Sequence, residues 1–233
     1  MGYFPFFADI AGKEFLIVGA GRTALGKAEK LLPFEPEITV VAPQICPEFE
    51  KLGVKLIRRR FQDSDLEDKF AVIAATDDSE LNGHISELCR AVRIPVNVVD
   101  DKEKCSFIFP ALSGGRGVTV GITTSGHSPA LARYIREKND ELLTERLMEA
   151  VELLGILREE IKLRITDESR RKQANEQLLR LCIGGECLPD REKLDKLING
   201  LESEYENKNR NKAVCPCNGS DGNDGEKNKG ELS

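Results

Sequence analysis

The chain has 233 residues, 40% of them apolar and 32% charged, and 34 Lys and Arg against 40 Asp and Glu give a formal charge of -6. This suits a globular fold with a sizeable core, and it argues against a nucleic-acid-binding face as the main function, because phosphate affinity needs clustered cations. There is no apolar run of the roughly 18 residues a membrane span needs, no signal-peptide pattern and no myristoylation signal, and seven scattered cysteines, an odd count, read as reduced cytosolic thiols rather than a disulfide framework.

The first hundred residues alternate strand and helix. Phe15 to Val18 is a short apolar run, followed at once by Gly19-Ala20-Gly21. Ala24 to Leu32 is a predicted helix with Pro33 and Pro36 marking its exit. Ile38–Val41, Val54–Ile57 and Phe70–Ala75 are predicted strands, the last apolar enough to be buried on both faces. Ser79–Val92 places Leu81, Ile85, Leu88 and Val92 on one helical stripe, and Val96–Val99 is the next strand. The pattern predicts a doubly wound α/β domain.

Beyond Asp100 the pattern changes. Ser106–Phe109 and Val118–Ile122 are strand candidates, split by the turn Ser113-Gly114-Gly115-Arg116-Gly117. Ser128-Pro129 is a helix start, with Ser able to cap and Pro suited to the first helical position. From there to about Gly200 nearly every residue favours helix, and Leu142, Leu143, Leu147, Val151, Leu154, Ile161 and Ile165 supply apolar faces of the kind that pack on a partner subunit. From about Ser203 the composition is Asn, Lys, Gly, Asp and Glu, which predicts disorder.

Three motifs carry chemistry. Gly19-x-Gly21-x-x-Ala24 follows a strand and opens a helix: the first Gly permits the tight turn, the second a close approach to a pyrophosphate, and Ala24 close helix–sheet packing. The phosphates would sit on the free N–H groups of the helix start. A purely structural turn is the alternative. The second strand ends in Ala42-Pro43 rather than in the carboxylate that usually holds the adenosine ribose, so the motif leaves NAD and NADP both open. Asp100 lies at the C-terminal end of a strand, where open parallel sheets place their ligands; it is either a turn cap or a base beside the cofactor. Asp77 and Asp78 read as caps of the helix near Ser79. Thr123 to Pro129 gathers hydroxyls and N–H groups before a helix, either to cap it or to hold a carboxylate, with Arg133 and Arg136 one and two turns on.

His84 reads as structural or solvent-exposed, whereas His127 lies in the hydroxyl-rich turn, and imidazole is the side-chain type suited to proton transfer near neutral pH. Cys182-x4-Cys187 and Cys215-Pro-Cys217 have the wrong spacing for an ordinary zinc site and read as inert thiols.

Five stretches, in order, resemble the siroheme synthase dehydrogenase family, that is, precorrin-2 dehydrogenases standing alone or forming the front module of the trifunctional enzyme. They are Tyr3-Phe4-Pro5-Phe6-Phe7; Val18 to Ala24 with Lys27; Val72 to Asp78 with Asn82; Asn97 to Asp101 continuing to Phe107-Ile108-Phe109-Pro110; and Ser125 to Arg133. Together they cover most of residues 3–138.

The resemblance implies an α/β fold with a Rossmann-type NAD-binding domain at 1–112, a central α+β dimerisation domain at 113–150, a helical domain at 151–200 and a tail at 201–233. It implies NAD-dependent oxidation of precorrin-2 to sirohydrochlorin in a cytoplasmic homodimer, with Fe2+ insertion to give siroheme left open. No methyltransferase module is expected within this length. The family aspartate falls on Asp100, and a family serine falls on Thr124 by spacing. The family Arg before the lysine of the first helix is replaced by Gly26, so that only Lys27 remains. The missing ribose carboxylate is usual for the family. The expected cofactor contacts are Gly19, Ala20, Gly21, Arg22, Thr23, Ala42, Pro43, Thr76, Asp77, Asn97 and Val98. Thr124, Ser125, Gly126, His127, Ser128, Arg133 and Arg136 are expected to face the acidic tetrapyrrole, and no resident metal set is assigned. The expected partners are this substrate, a second copy of the chain and a transiently docked separate chelatase, without nucleic acid or membrane. The competing functions are an NAD-sensing or scaffolding module and a different nicotinamide oxidoreductase with an acidic substrate.

Overall fold

The computed structural model describes residues 4–115, 117–185 and 187–213. Tyr3, Arg116, Cys215, Cys217 and the tail from 214 lie outside them. The chain packs as two units, Met1–Ser113 with Thr119–Asp140, and Gly114–Val118 with Glu141–Ser233. This grouping differs from the expected partition at 112, 150 and 200: most of the helix that follows Ser128 falls in the first unit and the remaining helices in the second.

The first unit is built on a five-stranded sheet of β1 (Glu14–Val18), β2 (Glu37–Val41), β3 (Lys55–Ile57), β4 (Ala71–Ala74) and β5 (Val96–Val98), in the order β3-β2-β1-β4-β5. Every neighbouring pair is parallel, with Leu16 opposite both Thr39 and Val72. Order and direction match the first five strands of a doubly wound dinucleotide-binding sheet. Successive side chains of a strand face opposite sides. Phe15 and Ile17 accordingly join Ile38, Val40 and Ile73 under α1 (Arg22–Leu31), which contributes Ala24, Ala28 and Leu31. Leu16 and Val18 face the other way, with Val72, Val96 and Val98, under Ile85 and Cys89 of α2 (Ser79–Ala91). Each fully buried branched side chain stabilises the unit by about 1.5–3 kcal/mol relative to exposure.

The predicted strand at Ser106–Phe109 does not form. There, the Ser106 hydroxyl accepts from the Val96 N–H at 2.7 Å and the Asn97 amide donates to the Phe107 carbonyl at 3.0 Å. The Ser106 and Phe107 N–H groups both converge on the Val96 carbonyl, and these bonds with the two side-chain ones stand in place of a regular ladder. The strand begins later, at β6 (Ala111–Gly115), which takes up part of the predicted glycine turn and pairs with β7 (Val118–Ile122). The helix α3 (Pro129–Leu142) starts where Ser128-Pro129 places it, and the Ser128 hydroxyl accepts from the Leu131 N–H.

The second unit is helical: α4 (Glu145–Arg164), α5 (Glu168–Gly184) and α6 (Arg191–Ala213). Thr144 and Asp167 cap α4 and α5. Leu157, Ile161, Leu178, Leu194 and Ile198 are fully buried together at its centre. Contrary to the disorder expected from 201, α6 continues through 213. Lys and Glu, frequent in this stretch, are good helix formers.

Candidate active site

The glycine turn divides its labour. Gly19 has φ 98°, and a Cβ there would lie 2.3 Å from the Ala75 carbonyl oxygen. This glycine is required by the fold, because β4 passes directly behind it. Gly21 has φ -83° and a Cβ there would meet nothing within 4 Å. Open space therefore lies before Gly21, at the start of α1. That helix has no side-chain cap and no acid in its first turn, whereas α2 is capped by Asp78, which accepts from the N–H groups of Glu80 and Leu81. Uncapped N–H groups beside a glycine that leaves room form a cradle for a pyrophosphate, so the residues present fit a dinucleotide.

Of the expected cofactor residues, Ala20 is buried and Arg22 and Thr23 are exposed at the helix start. Ala42 follows β2 with its N–H on the Ile57 carbonyl, and Pro43 and Asp77 are exposed. The Thr76 hydroxyl is bonded to Asn82 Oδ1 at 2.7 Å and Asn82 returns a bond to the Thr76 carbonyl, so this pair shapes the loop after β4. Asn97 and Val98 lie at the end of β5, held there by the Cys105 thiol, which accepts from the Val98 N–H at 3.1 Å.

A cavity of about 780 Å³ opens beside β5. Thr23, Asn97 and Val98 line it, as do Asp100, Thr124, Ser125, Gly126, Arg133 and Arg136. His127 and Ser128 belong to the adjoining turn and are not on its wall. Five cationic side chains line the cavity, Lys27, Lys30, Lys102, Arg133 and Arg136, against Asp100 and Asp101. The excess favours a ligand with several carboxylates.

Asp100 is exposed on this wall with φ 61°, a left-handed conformation that Asp tolerates better than most side chains. The capping role left open for it falls to Asp101, whose carboxylate accepts from the Lys104 N–H at 3.3 Å and pairs with Lys104 Nζ at 3.0 Å. The Lys104 hydrogen bond holds the Asp101 carboxyl below its ordinary range, opposed in part by desolvation. Asp100 is thereby available to a ligand in the cavity.

The hydroxyl-rich turn is bonded mainly to itself. Thr124 Oγ1 accepts from the Ser128 N–H at 3.1 Å and donates to the Ser128 carbonyl at 3.0 Å. The Ser125 N–H donates to Thr123 Oγ1, and the His127 N–H and Nδ1–H both donate to the Thr124 carbonyl. The capping reading therefore describes Thr124 and Ser128, and the anion-holding capacity lies with the cations around the turn. Among these, Lys102 Nζ donates to the Ser125 carbonyl at 2.6 Å and ties the turn to the segment after Asp100.

Sequence reasoning overlooked the cationic stripe of α1. Lys27 and Lys30 join Thr23 on the cavity wall, and their spacing of four and three residues, which places them on one helical face, was the available signal. Cys182 is buried in α5 and Cys187 is exposed, and no group of three metal-ligating side chains occurs among the described residues.

A family model described as putative NAD(P)-binding matches residues 6–111. A siroheme synthase of Thioalkalivibrio sulfidiphilus is 36% identical over 213 residues, spanning 87% of this chain and 44% of its own length. A siroheme synthase of Photorhabdus laumondii is 39% identical over 181 residues, spanning 76% of this chain and 38% of its own. The chain thus covers less than half the length of these relatives. Among solved structures, SirC, a precorrin-2 dehydrogenase, superposes with a TM-score of 0.65 at 21% identity, over 86% of this chain and 100% of its own, a likeness of fold. The nucleotide-binding sheet, the glycine cradle, Asp100 at the end of β5 and these sequence matches agree: the chain belongs to the siroheme synthase and precorrin-2 dehydrogenase family.

Proposed function

We propose that the protein oxidises precorrin-2 to sirohydrochlorin with NAD+, using the cavity beside β5 as the tetrapyrrole site. The observation that carries this reading is the juxtaposition of an available carboxylate, Asp100, with five cationic side chains on one cavity wall. A substrate bearing eight carboxylates matches that excess of cations. A sensing or scaffolding module has no need of Asp100, and an oxidoreductase for a small acid has no need of so broad a set.

NAD+ supplies the hydride acceptor when bound. Gly21 and the first turn of α1 would hold its phosphates by backbone N–H groups. Arg133 and Arg136 draw in the carboxylate arms and orient the macrocycle. As a hydride leaves a ring carbon, Asp100 accepts the proton that leaves with it, so the substrate loses two hydrogens in total. Holding the reacting carbon against the acceptor supplies much of the rate enhancement. Ala42 in place of the ribose carboxylate leaves the adenosine ribose to backbone groups.

The test is an anaerobic assay with purified protein, precorrin-2 and NAD+, following the sirohydrochlorin spectrum, with Asp100→Ala and no-enzyme controls. Enzyme-dependent oxidation is expected, and its absence from folded protein overturns the proposal. Adding Fe2+ afterwards separates a bifunctional enzyme from a dehydrogenase that hands its product to a separate chelatase. The same proposal includes a cytoplasmic homodimer. Leu131, Tyr134 and Ile135, apolar or aromatic and exposed on α3, support the dimer, which sedimentation equilibrium reads directly.

A further inference from the structure

Lys27 differs from Arg136 and Lys102, and it is half-buried where Lys30 and Arg133 are exposed. Arg136 lies near Glu137 and Asp140, at 3.5 and 3.9 Å, and Lys102 is bonded to a carbonyl. Lys27 is half-buried, forms no ion pair among the described residues, and rests with its ammonium 4.1 Å from the centroid of the Phe109 ring. Burial first, and the neighbouring Lys30 second, hold its ammonium below the usual lysine range, while Cys105 and Asp100 act the other way. A desolvated ammonium without a carboxylate destabilises the empty protein, and an aromatic face offsets only part of that cost. Such a group is accounted for when a ligand anion completes the pair.

The position separates two sources of that anion. Lys27 is six residues beyond Gly21, about 9 Å along the helix axis from the phosphate cradle. Its neighbours are Phe109 and, at longer range, Asp100, at the strand end where the reacting ligand of an open parallel sheet sits. This placement favours a group of the substrate over a phosphate of the cofactor.

We propose that Lys27 is a carboxylate anchor: on its Phe109 platform it takes one peripheral carboxylate of the substrate beside Asp100, and so determines which edge of the macrocycle meets that residue. The proposal rests on the acidic-tetrapyrrole reading of the cavity. It assigns Lys27 to binding and orientation, not to a proton transfer.

The test uses the full chain with Lys27→Met, Lys27→Gln and Lys27→Arg. Equilibrium binding is measured for sirohydrochlorin, for benzene hexacarboxylate as a carboxylate probe without a macrocycle, and for NADH. Met and Gln are expected to weaken both polycarboxylates about tenfold, while Arg restores most of the affinity. NADH affinity should stay within about twofold and the melting temperature should not fall. Unchanged polycarboxylate binding in the Met and Gln proteins overturns the proposal, as does a parallel loss of NADH affinity, which would place Lys27 on the cofactor phosphates. If the parent binds benzene hexacarboxylate in a Lys27-dependent way but does not bind sirohydrochlorin, the tetrapyrrole reading fails and the carboxylate anchor stands.

Discussion

Gly19 and Gly21 are two residues apart, yet replacing each by alanine should produce opposite phenotypes. At Gly19 the new Cβ would lie 2.3 Å from the Ala75 oxygen, 2.7 Å from its carbon and 3.0 Å from the Thr76 nitrogen, with φ held at 98°. All three are backbone atoms, which do not rotate away as a side-chain tip does. The positive φ costs about 1–2 kcal/mol and overpacking costs about 1–3 kcal/mol, so Gly19→Ala should destabilise by about 2–5 kcal/mol. At Gly21 the Cβ meets no atom and φ is ordinary. The remaining penalty is that of alanine at a helix N-cap, about 1 kcal/mol or less. That Cβ would stand where the cofactor phosphates approach, so Gly21→Ala should weaken NADH binding by about tenfold or more. Urea unfolding gives the first quantity and NADH fluorescence titration the second. If Gly21→Ala unfolds as readily as Gly19→Ala, or binds NADH like the parent, the division of roles between the two glycines is wrong.

Asp100→Asn keeps a side chain that tolerates φ 61° but removes the base, so stability and NADH affinity should hold while turnover falls by about 10²-fold or more in the anaerobic assay. Asp65 accepts from both terminal nitrogens of Arg59, at 2.7 and 2.5 Å, and its pKa is lowered chiefly by that contact. A depressed carboxyl pKa stabilises the fold above the unfolded value and loses that contribution as pH falls through the folded value. Asp65→Asn should therefore cost about 1 kcal/mol at pH 7, a figure kept low because Arg59 is a third exposed, and urea unfolding should show this gap closing below the ordinary Asp range of about 4. Leu157 is fully buried among helices of the second unit, so Leu157→Ala should cost about 3 kcal/mol there by urea unfolding.

The strands of the sheet were legible because each is a short, nearly continuous apolar run, the signature of a strand covered on both faces. Phe107-Ile108-Phe109 has the same composition but was misread, because its Phe107 carbonyl is taken by the Asn97 side chain, and its Phe107 N–H shares the Val96 carbonyl with that of Ser106, so no regular ladder runs along it. Conversely, Ser113-Gly114-Gly115 resembles a turn yet ends a strand. The positions of the glycine turn and of Asp100 were legible, since each is fixed relative to a strand end. The stripe of Lys27 and Lys30 was visible as spacing but not as chemistry, because a cation on a helix usually faces solvent. What distinguishes Lys27 is Phe109, eighty-two residues away in the chain, and no local pattern carries that contact. The self-bonding of the turn at Thr124 was equally hidden, because the same hydroxyls can cap a helix or meet a ligand.

On the proposed function the helix α1 would act as a ruler between two ligands. Its first turn carries the uncapped N–H groups and Lys27 and Lys30 line the cavity, all on a rod whose rise is about 1.5 Å per residue. The separation of the two ligands is thus written in residue count, with no loop between them to absorb an error. A one-residue insertion before Lys27 would swing both lysines about 100° around the axis and away from the cavity. Gly26 has open space for a side chain, whereas a change of length between Gly21 and Lys30 would displace both lysines from the cavity.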